Sequence, residues 1–156
     1  MSTPIQVKPG VAGSFPTVTL TAFDSAGAPI AGNLVISSLK DITVDNAKDV
    51  FTYTTLESTG KLNVPTTMNN KVTTNLVVDA TAYFGSNTSP TAPASTSGLM
   101  NLSTNGTLCS AAIGPIGGKT LTANVYVTGL SPTVSSDAPV WVSPVTFTVT
   151  GPYTVS

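Results

Sequence analysis

The densest run of oxygen donors in the chain is Asp41-Ile42-Thr43-Val44-Asp45-Asn46-Ala47-Lys48-Asp49. Asp41, Asp45 and Asp49, with Asn46, offer carboxylate and amide oxygens of the kind that hold calcium. The spacing is not that of an EF-hand, since the central glycine and the closing glutamate are missing and Lys48 brings a competing positive charge. A solvated loop or a short capped turn is the plainer reading, with calcium as the alternative. Glu57 is the sole glutamate, and nothing in the spacing brings an aspartate beside it for the paired-carboxylate chemistry of a glycosidase.

The residues that are missing exclude more. Without histidine there is no Ser-His-Asp or Cys-His relay. All six basic residues are lysines, so no arginine can clamp a carboxylate or phosphate bidentately. Cys109 is the only cysteine, which rules out an internal disulfide and a CxxC site, and Leu108 to Ile113 around it reads as buried packing. Gly114-x-x-Gly117-Gly118-Lys119 lacks the spacing of a phosphate loop and reads as a β-turn. Asn87-Thr88-Ser89, Asn101-Leu102-Ser103 and Asn105-Gly106-Thr107 fit the glycosylation pattern but are expected by chance in a chain with 17 Ser and 27 Thr. The expectation is a protein that is not an enzyme, with no catalytic residues and no cofactor.

Tyr53, Tyr83, Tyr126 and Trp141 are the residues that could stack on a sugar, with ordinary core and interface packing as the simpler reading. Trp141 lies in a segment that reads as a short apolar strand bracketed by Pro139 and Pro144. Tyr126 falls on the more polar side of its strand, and Tyr153 and Val155 end a C-terminal pattern able to give or receive a paired strand. These four, Trp141, Tyr126, Tyr153 and Val155, are the interface candidates.

What must position them is written in period two. Thr17 to Ala22 alternates Thr with Val18, Leu20 and Ala22, and Val145 to Thr150 repeats the pattern around Phe147. Such alternation is that of a strand with one buried and one wet face. Threonine suits the wet face because its β-branch favours extended backbone while its hydroxyl stays hydrated. Thr73 to Phe84 and Leu121 to Thr128 alternate as well; Leu34 to Ser37 and Val50 to Leu56 are shorter candidates, and Met100 to Leu102 and Thr107 to Ile113 weaker ones. Turns are expected at Asp24 to Pro29 and Gly114 to Gly118, and a long Ser/Thr/Pro loop at residues 85–98. No segment sustains a helical apolar period over three turns, although Asp45 to Asp49 has room for a single turn. The pattern predicts an all-β fold, an immunoglobulin-like or jelly-roll β-sandwich of about seven to nine antiparallel strands. It occupies residues 15–156 as one domain, preceded by a flexible or interacting arm at 1–14.

The segment Thr17 to Gly32 resembles the opening of bacterial immunoglobulin-like domains of the invasin type, which begin with an alternating strand, an Asp-x-x-Gly-x-Pro turn, then a hydrophobic residue, Ala and Gly. Asp24, Gly27, Pro29, Ile30, Ala31 and Gly32 hold those places. The resemblance implies a β-sandwich in a scaffolding or display role, as in adhesins and phage surface proteins.

Charge narrows the partners. Charged residues make up 8% of the chain and the formal net charge is −1. Six dispersed lysines are a poor match for a nucleic-acid backbone, and near-neutrality removes long-range repulsion between copies. No run approaches the length of a membrane span, and the start shows no signal-peptide pattern. The expected function is a structural virion protein, foremost a phage capsid decoration that self-associates and docks on a particle at the virion surface. The alternatives are an extracellular or cell-surface pilus, fibre or adhesin subunit, and a carbohydrate-binding module for a surface glycan.

Overall fold

The structure, a computed structural model, describes residues 4–6, 15–37, 39–57 and 59–156. Of the expected N-terminal arm only residues 4–6 fall within that range, and Ile5 there lies against Gly117. Nine strands and two helices follow in the order β1 (Thr17–Ala22), β2 (Leu34–Ile36), β3 (Leu39–Asp45), β4 (Lys48–Tyr53), β5 (Leu62–Met68), β6 (Lys71–Val77), α1 (Ala80–Phe84), α2 (Ala94–Asn105), β7 (Cys109–Ile116), β8 (Lys119–Leu130) and β9 (Val142–Val155). Every strand pairing is antiparallel. The all-β reading therefore holds.

Seven strands form one sheet in the order β2-β1-β7-β8-β9-β6-β3, and β4 and β5 form a separate two-stranded sheet. The outermost strands of the large sheet, β2 and β3, are separated in sequence only by residues 37 and 38. Three Cα steps reach at most about 11 Å, whereas a flat seven-stranded sheet is about 29 Å across. The sheet must therefore curl until the end of β2 comes close to the start of β3, which makes it a half-barrel around a single core, with β2 and β3 as its edge strands.

The alternation read from the sequence points into that core. Val18, Leu20 and Ala22 of β1, Ala123, Val125 and Val127 of β8, and Val145, Phe147 and Val149 of β9 are buried. Their neighbours Thr19, Tyr126 and Thr148 face outward. Burying a side chain such as Phe147 is worth roughly 2–3 kcal/mol. The Asp24 turn forms as expected: Asp24 Oδ1 accepts from the backbone N–H groups of Ala26 and Ala28, both at 2.9 Å, and Gly27 takes φ 83°.

Several expected boundaries shift. The strand read over Thr73 to Phe84 stops at Val77, where Asp79 accepts a hydrogen bond from Thr81 N at 2.8 Å and starts α1. Residues 85–98 are only partly loop, because α2 begins at Ala94, and the strand expected at Met100 to Leu102 is helix. The buried face of this helix is built largely from small residues, Ala94, Ser97 and Gly98, with Leu99 and Leu102. Its apolar period is therefore faint, although Pro93 before it and Gly106 after it are ordinary helix boundaries. The run Asp41 to Asp49 is mostly strand, with Asn46 and Ala47 linking β3 to β4. The Trp141 stretch is not a strand of its own: β9 begins at Val142 and runs through Pro144.

The antiparallel order assigns each connection to one end of the half-barrel. The helices lie between β6 and β7, and the long connection 131–141 between β8 and β9, at one end, called here the helix end. The β4–β5 hairpin is inserted between β3 and β6 at the opposite end, beside the β7–β8 turn and Val155. The helices help close the core: Tyr83, Leu99 and Leu102 are buried in it, and the Tyr83 hydroxyl bonds the buried Ser143 hydroxyl at 3.0 Å. Among the described residues no helix is long and apolar enough to cross a membrane.

Candidate self-assembly surface

The hairpin is the segment whose sequence and environment disagree. β4 reads Lys-Asp-Val-Phe-Thr-Tyr and β5 reads Leu-Asn-Val-Pro-Thr-Thr-Met, and every residue of both strands is exposed. Val50, Phe51, Tyr53, Leu62, Val64 and Met68 face solvent, and Leu56 at the tip is fully exposed. Phe51 and Tyr53 stack on each other at 5.9 Å, and Thr52 Oγ1 donates to Asn63 Oδ1 at 2.8 Å. These contacts hold the hairpin together but bury almost nothing. A contiguous apolar patch left in water is the mark of an interaction surface, and the two-stranded sheet also presents unpaired strand edges on both sides.

Its root is fixed. Asn70, 2% exposed, accepts from Ala47 N through Oδ1 at 3.0 Å and donates through Nδ2 to Gly151 O at 3.5 Å, while its backbone carbonyl accepts from Val149 N at 3.1 Å. One buried amide thus ties the hairpin root to β9. The Tyr153 hydroxyl adds a second tie, donating to Asp45 O at 2.6 Å and lying 3.3 Å from Lys71 O. Burial and the nearby Asp45 carboxylate both push the Tyr153 phenol above its ordinary pKa, so it stays a donor.

A second apolar feature sits at the helix end. Val78, Ala80, Phe84, Pro132 and Trp141 line a groove of about 450 Å³. Trp141 is 52% exposed, and Phe84 is half exposed, its ring edge-on to Tyr83 at 5.1 Å.

The four interface candidates do not share a surface. Trp141 is at the helix end, Tyr126 is on the outer face of β8 opposite Thr148, and Tyr153 and Val155 are near the hairpin end. The sugar-platform aromatics are also dispersed, since Tyr83 is in the core and Tyr53 on the hairpin. Nor do Asp41, Asp45 and Asp49 form a metal-sized cluster: among the described residues no three His, Cys, Asp or Glu side chains gather. Asp41 accepts instead from the backbone and side-chain nitrogens of Asn75, and Asp49 from Thr67 Oγ1 at 3.4 Å. Cys109 is buried and its thiol pKa is pushed up to about 11 by that burial. The hairpin was half legible: Val50 to Leu56 reads as a strand, but Phe51 and Tyr53 alternate with Thr52 and Thr54 just as they would over a core, so the sequence does not show that this face stays in water. Pro65 hid β5, because proline has no N–H for a ladder.

No protein-family model and no curated protein matches the sequence. Solved structures resemble the fold. A chain of the tail of an empty gene transfer agent particle, refined with C6 symmetry, superposes with a TM-score of 0.61 at 11% identity, covering 89% of this chain and 95% of that one. A chain of the anti-feeding prophage baseplate, sixfold symmetrised, gives 0.59 at 13% identity over 100% and 97%. One from the sheath/tube terminator of an extracellular contractile injection system gives 0.53 at 11% over 97% and 99%. The likeness is one of fold. It extends over nearly the whole chain, far beyond Thr17 to Gly32.

Proposed function

We propose that the chain is a non-enzymatic structural subunit of a tail-like or injection-type particle, which joins copies of itself into rings and the rings into a tube. The observation that carries this reading is the β4–β5 hairpin, whose Phe51, Tyr53, Leu62 and Val64 share one face and stay exposed in the monomer. The fold likeness to chains from particles of sixfold symmetry supports it, and so does the near-neutral charge, which leaves little repulsion between copies. A specific contact buries about 1,200–2,000 Å² in total, and the apolar face of a projecting hairpin contributes to such an area. The particle is extracellular or virion-borne on this reading. A capsid or fibre protein is the further partner it allows, and a role like that of invasin-type adhesin domains, suggested by Thr17 to Gly32, would draw on the same open strand edges of β4 and β5.

The test is assembly of the purified chain. Sedimentation and electron microscopy over a range of concentrations are expected to show rings or stacked rings. The double variant Phe51→Ser, Leu56→Asp should remain monomeric with an unchanged circular dichroism spectrum, because neither side chain belongs to the core. A wild-type chain that stays monomeric at the highest attainable concentration overturns the proposal.

A further inference from the structure

The two exposed apolar features lie at opposite ends of the half-barrel, and so do the charges. Among the described residues the helix end carries Asp24, Asp79 and Asp137 and no lysine beyond Lys40, which stands next to Asp41 in β3. The hairpin end carries Lys48, Lys61, Lys71 and Lys119, partly offset by Asp45, Asp49 and Glu57. Asp79 immediately follows Val78 of the groove, and Asp137 is in the same connection as Pro132 and Trp141. The groove is thus an uncharged apolar slot at the more acidic end of the molecule, and the opposite end, where four of the six lysines lie, projects an apolar arm.

From this polarity we infer that the Trp141–Phe84 groove of one copy receives the hairpin tip of a second copy, with Leu56 as the inserted side chain. The inference rests on the self-assembly reading and names its partner site. A hairpin strand of six residues reaches about 20 Å, so the tip stands clear of its own sheet and is free to meet another molecule. Donor and acceptor surfaces are different and lie at opposite ends, so the contact is heterologous and does not close on itself as a two-fold dimer does. Its repetition gives a polar stack, in which each copy offers an arm forward and a groove backward. The hairpin end as a whole, with four lysines against three carboxylates, faces the acidic helix end in this arrangement, while at the tip itself Glu57 and Lys61 balance each other. Two arms meeting each other would bring like features together and leave both grooves empty.

Trp141 is the only tryptophan and reports the contact directly. Covering the half-exposed indole with Leu56 moves its emission to the blue when the wild-type chain assembles. Leu56→Asp should abolish that shift and weaken association about tenfold or more, the expected loss when a large apolar contact is replaced by a charge. The position is tested by mixing Leu56→Cys with Phe84→Cys under oxidising conditions, blocking free thiols before denaturation. Cys109 is buried and stays unchanged. A cross-linked dimer only in the mixture supports the inference. If Phe84→Cys fails to fold, Ala80→Cys, exposed on the same groove, takes its place. Assemblies that form without the mixed cross-link, or a cross-link from Leu56→Cys alone, overturn the inference while self-assembly stands. A wild-type chain that does not assemble removes both.

Discussion

Cys109 has the residue type for chemistry and none of the surroundings. Its thiol is in the core, where burial favours the neutral form and raises the pKa from about 9 to about 11. In the unfolded chain the thiol ionises near its ordinary value, so the unfolded state releases its proton first as the pH rises. The stabilisation is complete below pH 9 and is lost progressively up to about pH 11, a loss of about 2–3 kcal/mol by linkage. Urea unfolding at pH 8 and pH 10.5 should show a steeper fall for wild type than for Cys109→Ala; equal slopes would mean the thiol is not held neutral. Two glycines make a second contrast at this scale. Gly98 has φ 70° and ψ 168°, a region only glycine tolerates, and a Cβ there would come within 2.5 Å of Gly85 N. Gly27 has φ 83° with open space around it. Gly98→Ala should cost about 2–4 kcal/mol, from strain plus the backbone clash between the two helices. Gly27→Ala should cost about 1 kcal/mol, from strain alone. Thermal unfolding of the two variants separates conformational strain from close approach, and equal losses would contradict the α1–α2 contact described above.

Among the elements, the strands of the half-barrel were the legible part, because one face of β1, β8 and β9 meets the core and the other meets water, and period two records that difference. The elements that were misread lack it for separate physical reasons. α2 packs small residues, so its sequence has little amphipathic contrast. β6 and α1 share one continuous alternation, and only the cap at Asp79 ends the strand. The hairpin has two wet faces, so no core in the single copy accounts for its apolar residues. The same separation predicts how the hairpin responds to its root. Asn70→Ala removes the acceptor of Ala47 N and the donor to Gly151 O from a buried site, at a cost of about 1–3 kcal/mol. Hydrogen exchange should accelerate at Ala47, where the bond is lost, and in β4 and β5, while Leu20, Val125 and Phe147 keep their protection. Uniform acceleration across the sheet would show that the hairpin is part of the cooperative core.

At the scale of the whole molecule, the proposed assembly and the fold draw on different residues. The core cluster takes members from β1, β2, β6, β7, β8, β9 and both helices, and none from β4 or β5. The barrel residues satisfy each other within one copy; the hairpin's apolar surface gains only when another copy covers it. Replacing residues 49–67 by a short Gly-Ser turn should therefore leave a folded half-barrel, with a melting temperature within a few degrees of wild type, since no core side chain is removed. The same deletion should abolish stacking even at concentrations where the wild type is fully assembled. It should also leave the Trp141 emission at its monomer position, because the groove is intact but has nothing to fill it. An isolated peptide spanning residues 47–69 tests the converse. If the groove recognises the tip, the peptide should move the Trp141 emission of the hairpin-less chain to the blue, with weak affinity, because the free peptide must also lose the conformational entropy that the Asn70 root removes in the intact chain. A deletion variant that still stacks would assign the axial contact to other surfaces, and the exposed edge of β3 would then be the next to examine.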